Sequence, residues 1–333
     1  MAKIIRNVKR FWLGLAVIGL SLSMSVVGLI AIATPAGAAP ADPLVGYGAG
    51  TTGGAGGSTV TVSTLAALTS AVSGSTARIV KISGTISGSG DVKVGSNKTI
   101  LGIGSSSVLS GLGLDMKSVS NVIIRNLTIH NVTASSGTGD AIHIEKSTHL
   151  WIDHNDLYSD RNHGKDYYDG LLDITHAGDY ITVSWNRLHD HYKVSLVGHS
   201  DSNGAEDTGH LHVTYAHNWF YNDGSRLPSI RFGTAHVYNN YYENVTLDAI
   251  HSRENAQVLV QNNVFRNVGT ALTTTGDSKI DGYANASGND WGGSTVTITK
   301  TGSFTNPPYS YTLDATSSVI SEVTAYSGVG IVG

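Results

Sequence analysis

Six short segments of this chain repeat one pattern around an asparagine: NVIIRNLTI, LWIDHNDLY, ITVSWNRLH, LHVTYAHNWFY, AHVYNNYY and VLVQNNVF. Aligned on Asn126, Asn155, Asn186, Asn218, Asn240 and Asn263, they follow at steps of 29, 31, 32, 22 and 23 residues. Three positions before each asparagine stand Ile123, Ile152, Val183, Tyr215, Val237 and Val260. Two positions after the last five stand Leu157, Leu188, Phe220, Tyr242 and Phe265. Alternation on both sides marks short strands with one buried face. A shortest step of 22 residues with longer insertions describes a coil of fixed circumference carrying loops of variable length. A propeller blade would need about 40–45 residues and four strands. The pattern therefore predicts an all-β, right-handed, single-stranded parallel β-helix with long loops on one face. Asparagine suits the bend, because it tolerates αL and its amide can bond the same group one coil away.

RIVKISGTI and KTILGIG continue the spacing backwards, so the coils are expected to begin near Arg78. Before them, STLAALTSAV has apolar residues at helical spacing behind Ser63 or Thr64, and predicts a short helix capping the open end of the stack. After Thr270 the repeat dissolves into GDSKIDGYANASGNDWGGS and TNPPYSYTLD, read as a tail packed along the coils and not as a second domain.

Lys3, Arg6, Lys9 and Arg10 precede an uncharged apolar run from Phe11 to Ala33, with small residues at Ala36 and Ala38. That run is long enough to span a bilayer, but the small-residue sites that follow at once favour a cleaved secretory signal over residues 1–38, cut near Ala38 or Ala41. The domain of 39–333 would then be secreted, with no membrane attachment. Cleavage removes four of the 21 Lys and Arg and none of the 25 Asp and Glu, leaving a net charge of −8. An acidic chain lacks the basic footprint of a nucleic-acid binder. It also has no cysteine, so stability rests on the core that a chain of this size can bury. A monomer is expected.

Several coils carry charged residues ahead of the asparagine: Asp140 in GDAIHI, Asp169 and Asp173 in YYDGLLDI, Lys193 in HYKVSLVGHSD, and Arg226 and Arg231 in GSRLPSIRFG. Adjacent rungs lie ~4.8 Å apart, so acids from two rungs can meet around one ion, with the cations on the rungs beyond. Four residues of extended chain span ~13 Å, so the backbone must bend between Asp169 and Asp173. Gly170 permits that, placing Asp169 on the leading turn and Asp173 in the strand. Carboxylates without cysteine favour a hard cation, Ca²⁺ first.

WIDH at 151–154, DGLLDI at 169–174, HYKVSLVGHSD at 191–201 and RLPSIR at 226–231 resemble, in order and spacing, the motifs of the secreted pectate lyase / pectin lyase family of polysaccharide lyases. The resemblance runs from about Gly46 to the C-terminus and implies the same β-helix. It implies that Asp140, Asp169 and Asp173 bind calcium, that Arg226 abstracts a proton, and that Lys193 and Arg231 hold carboxylates of polygalacturonate. Some members carry a further acid two positions before the first aspartate, where this chain has Thr138. Asp153 and His154 read as structural. The implied reaction is calcium-dependent β-elimination of de-esterified galacturonan (pectate), giving 4,5-unsaturated oligogalacturonides. Because a guanidinium is normally charged, with a pKa above ~12, an arginine base implies activity rising above neutral pH.

Four other readings differ in testable ways. A pectin lyase would take methyl-esterified substrate without calcium, but the three acids favour pectate. A polygalacturonase needs two carboxylates flanking the bond with room for water, and no Gly-His-Gly or Arg-Ile-Lys signature is present. A non-catalytic polysaccharide-binding β-helix would use exposed aromatics, whereas Tyr215, Phe220 and Tyr242 occupy core positions of the repeat. A zinc cluster of His189, His191 and His199 lacks an identifiable fourth ligand. The segment NDLYSDRNHGKDYY reads as a long loop beside the groove, with Lys165 as a further substrate contact.

Overall fold

The computed structural model describes residues 43–332; the expected leader, 1–38, lies outside the described residues. Two parallel sheets run its length. One has ten strands, from Ser58–Val62 and Arg78–Ile82 through Ser120–Arg125, Thr148–Asp153, Asp179–Ser184, His212–Ala216 and Thr234–Tyr238 to Gln257–Gln261 and Tyr283–Ser287. The other covers two faces. Thr128–His130, Asp156–Tyr158, Arg187–His189 and Trp219–Tyr221 form the second face of successive coils. Ile142–Glu145, Leu172–Thr175, Leu196–Val197 and Ser229–Arg231 form the third. The two faces join where Val108–Lys117 and Tyr241–Arg253 run unbroken from one to the other. Every strand pairs with its counterpart one coil away, which makes a parallel β-helix. The coils begin one turn earlier than expected, at Ser58–Val62.

Inside, Val122, Ile124, Ile152, Val183, Tyr215, Val237 and Val260 are buried from the first sheet and meet Leu157, Leu188, Phe220, Tyr242 and Phe265 from the second face. Phe220, Tyr242, Phe265 and Trp291 stack with ring centroids 5.0, 4.5 and 5.1 Å apart. Thr64 caps the helix Leu65–Val72, its Oγ1 accepting from the Ala67 N–H, and Leu68, Ala71 and Val72 close the end of the core.

The asparagines form a ladder. Asn155 Oδ1 accepts from the Leu127 N–H, and Asn186, Asn218, Asn240, Asn263 and Asn289 each accept from the backbone N–H and the amide of the asparagine one coil before, at 2.9–3.0 Å. Two features correct the sequence alignment. The left-handed residue is the one before the ladder position: His154, Trp185, His217, Asn239 and Asn262 have φ of 50–57°. Asn126 belongs to that set, with φ 57°, so Leu127 holds the ladder position in its coil and Ile124, not Ile123, pairs with Ile152. The repeat also does not end at Thr270, because Tyr283–Ser287, Asn289 and Trp291 make one further copy.

The tail packs along the coils, as expected, and runs back down them. Asn285 Nδ2 donates to the Gly302 and Phe304 carbonyls, Tyr309 meets Thr214 and His236, and Asp314 binds His217. The helix Thr316–Tyr326 packs Val319 and Val323 against Tyr241 and Val264, and the Gly330 N–H donates to Asn126 Oδ1.

His236 lies under this tail with no exposed surface, between Tyr309 Oη at 2.9 Å and Gln261 Oε1 at 3.0 Å. Burial pushes it down to about 4, from an unfolded value near 6.5. A depressed histidine contributes stability fully above pH ~6.5, lost as pH falls toward 4. Between pH 7 and 4.5 the wild type should lose about 2 kcal/mol more unfolding free energy than His236→Gln. Urea denaturation at the two pH values checks this, and equal losses in both proteins would count against it.

Candidate active site

The third face carries the acids expected from the sequence. Asp173 sits within Leu172–Thr175, in register with His143 of Ile142–Glu145, while Asp140 and Asp169 lie on the turns leading into those strands. Asp140 and Asp173 are buried and face each other across Gly170. A Cβ built on that glycine would lie 2.7 Å from Asp140 Oδ1 and 2.7 Å from Asp173 Oδ1. The glycine is therefore required for close approach; its φ is not left-handed, and the chain bends just after it, at Leu171, before the strand begins. Its N–H donates to Asp140 Oδ1 at 2.8 Å, and the Leu196 N–H donates to Asp173 Oδ1 at 2.9 Å.

Burial, then the neighbouring carboxylate, raises Asp173 well above the usual range; burial also raises Asp140, against the opposing bond from His143. Two buried acids facing each other raise one another's cost of ionisation, which His143 and Arg226 offset only in part, and this suits a hard oxygen-seeking cation. The third acid does not join them. Asp169 Oδ1 lies 2.8 Å from Lys193 Nζ, which also meets Asp166 at 3.1 Å. Among the described residues no three His, Asp or Glu side chains gather as a metal site. Asp169 would have to leave Lys193 to complete one.

Thr138, in place of an acid, donates its N–H and Oγ1 to Asp91 at 2.9 and 3.2 Å. Asp91 belongs to Thr85–Lys93, two rungs back, so a carboxylate stands near that position after all.

The cations line a cavity of about 370 Å³ beside these acids, with Lys165, Lys193, Arg226, Arg231 and Arg253 in its wall. Arg231 is buried and committed: its Nε donates to Asp201 and its Nη1 to the Gly198 carbonyl. Arg226, just before Ser229–Arg231, has φ 66°, a conformation that costs an L-residue roughly 1–2 kcal/mol. Its guanidinium has no hydrogen-bond or ion-pair partner among the described residues, and its charge acts on Asp173, Asp248 and Arg253. Lys165 is exposed at the cavity rim, on the loop where it was expected.

Sequence reasoning missed Arg253, which pairs in register with Arg231 and is held by Ser229, Ser278 and the Asp277 carbonyl. Burial, then Arg231, lowers it. The signal was available, since Arg253 follows Arg231 by the shortest coil step. The three histidines of the zinc alternative stay apart. His189 binds Asp156 and Asp190, His191 Nδ1 accepts from the Lys193 N–H, and His199 stacks on His176. Asp153 and His154 are buried and bonded to each other, Arg125 and Ser184, a structural role as expected.

Comparison with known proteins bears on the family and the fold. A family model described as pectate lyase matches residues 19–332. Among curated relatives, a probable pectate lyase A of Neosartorya fischeri is 53% identical over 264 residues, covering 79% of this chain and 80% of the relative. Pectate lyase A of Aspergillus niger is 50% identical over 291 residues, covering 86% and 88%. Among solved structures, a pectate lyase from Bacillus sp. N165 in complex with trigalacturonate has a TM-score of 0.76 at 33% identity, covering 87% of this chain and 99% of that one. Fold and site thus define a polysaccharide lyase built on a parallel β-helix. The chain belongs to the pectate lyase family.

Proposed function

We propose that the enzyme cleaves de-esterified (1→4)-α-D-galacturonan by calcium-dependent β-elimination outside the cell, releasing 4,5-unsaturated oligogalacturonides. The observation that carries this is the unpaired Arg226 guanidinium lying beside two buried, facing carboxylates. Asp140 and Asp173, with Asp169 as third ligand, would hold the ion. When bound, calcium supplies positive charge beside the uronate carboxylate and so acidifies the hydrogen on C5.

Arg226, after giving up a proton of its own to solvent, takes that proton. The C5–H electron pair becomes the C4–C5 double bond, and the C4–O bond breaks with its electrons on the leaving oxygen, so no water attacks. Lys193 and Arg231 hold substrate carboxylates where negative charge develops. Lys193 must exchange Asp169 for substrate, and that exchange also frees Asp169 for the ion. The trigalacturonate bound by the Bacillus relative supports this substrate class, and the leader-like segment supports secretion.

Digestion of polygalacturonate should yield a product absorbing in the near ultraviolet, with activity abolished by a chelator and restored by added Ca²⁺. Chain cleavage without that absorbance would indicate hydrolysis, and chelator-resistant turnover would remove the metal from the reading.

A further inference from the structure

We propose that His143 is a positioning residue for the metal-facing carboxylate of Asp140, an inference that rests on the calcium reading above. The Asp140 carboxylate is held at both oxygens. Oδ1 accepts from the Gly170 N–H of the next coil at 2.8 Å, and Oδ2 lies 2.8 Å from His143 Nδ1. A carboxylate that binds Ca²⁺ is ionised and only accepts hydrogen bonds, so in that state Nδ1 carries the hydrogen and His143 is the donor. One donor on each oxygen holds the carboxylate against turning about its own bond. Oδ1 is the oxygen that faces Asp173 across Gly170, and each oxygen keeps acceptor capacity beyond the one bond it receives.

The imidazole belongs to a residue between two rungs of the sheet, paired with Asp115 on one side and Asp173 on the other. Its second nitrogen points toward Glu145, with Nε2 4.0 Å from Oε2. His143 projects outward from the third face and is mostly covered, its side chain 16% exposed. It takes no part in the proton transfer or in the cationic wall of the cavity. Its contact with Asp140 is what the active site gains from it. Loss of a hydrogen bond to a liganding group typically costs 10–100-fold in metal affinity.

The test is calorimetric titration of the mature enzyme with Ca²⁺ at about pH 8, with thermal unfolding in chelator measured in parallel. His143→Ala and His143→Phe remove the donor, the second keeping ring-sized packing. His143→Asn keeps an N–H near the Nδ1 position. The expected result is a Kd weakened about 10-fold or more in both donor-less variants, with His143→Asn within about threefold of wild type and chelated melting temperatures alike. Wild-type affinity in His143→Phe overturns the positioning role, and so does equal weakening in His143→Phe and His143→Asn. Asp140→Asn separates this from failure of the calcium reading. If that variant binds Ca²⁺ as the wild type does, the metal assignment itself falls. If it loses binding while His143→Phe keeps it, only the role of His143 falls.

Discussion

Arg226→Ala should lower kcat on polygalacturonate by about 10³-fold while leaving the melting temperature unchanged. The two halves of that result have separate causes. Arg226 has no hydrogen-bond or ion-pair partner among the described residues, so truncation leaves no orphaned group in the fold. Alanine is also subject to the same left-handed cost at φ 66°, so no strain is relieved. Arg231→Ala should behave differently, because it releases Asp201 and the Gly198 carbonyl and must disturb structure as well as turnover. In wild type, a base that is normally charged implies a rate that climbs above neutral pH. An optimum below pH ~6, or Arg226→Ala within tenfold of wild type, would remove the arginine from the chemistry.

Asn218→Ala should be strongly destabilising, by about 3 kcal/mol. Its amide makes four bonds: Oδ1 accepts from the Asn186 N–H and Nδ2, and Nδ2 donates to the Val183 carbonyl and Asn240 Oδ1. Alanine orphans the Asn186 N–H and takes one bond each from Asn186 Nδ2, the Val183 carbonyl and Asn240 Oδ1 in a region with no solvent access. Asn186 Nδ2 keeps the Ile152 carbonyl, and Asn240 Oδ1 keeps the backbone N–H of position 218. An orphaned buried group costs about 1–3 kcal/mol. Asn289→Ala, at the half-buried end of the ladder, should cost about half as much, because water can reach the orphaned groups. Denaturant unfolding of the two variants measures the difference. Equal and small losses would mean that the ladder follows from the coils without stabilising them.

The coil was legible in the sequence because the asparagine and its apolar flanks recur at fixed offsets. The first copy was misaligned by one residue for a physical reason. The left-handed position and the ladder position are adjacent, and asparagine suits both, so Asn126 was assigned to the wrong one. The last copy was hidden because Ala286 occupies a position that Val260 fills in the coil before, which removes the apolar signal. At the site, spacing along the chain was enough to bring Asp140, Asp173, Lys193 and Arg226 to neighbouring rungs. It did not show which cation each acid would choose. Asp169 is closest to Lys193, and Arg231 is matched by Asp201, choices made by side-chain rotation and not by coil periodicity.

A stack in which each layer touches only the next is one-dimensional, and its ends can fray without consulting its middle. The returning tail changes that. Anchored at Asn285, at His236, at His217 and finally at Asn126, it ties layers that would otherwise be strangers to one another. Melting any layer along its path must also lift the tie, so a string of semi-independent units behaves as one body and the catalytic wall cannot come apart one rung at a time.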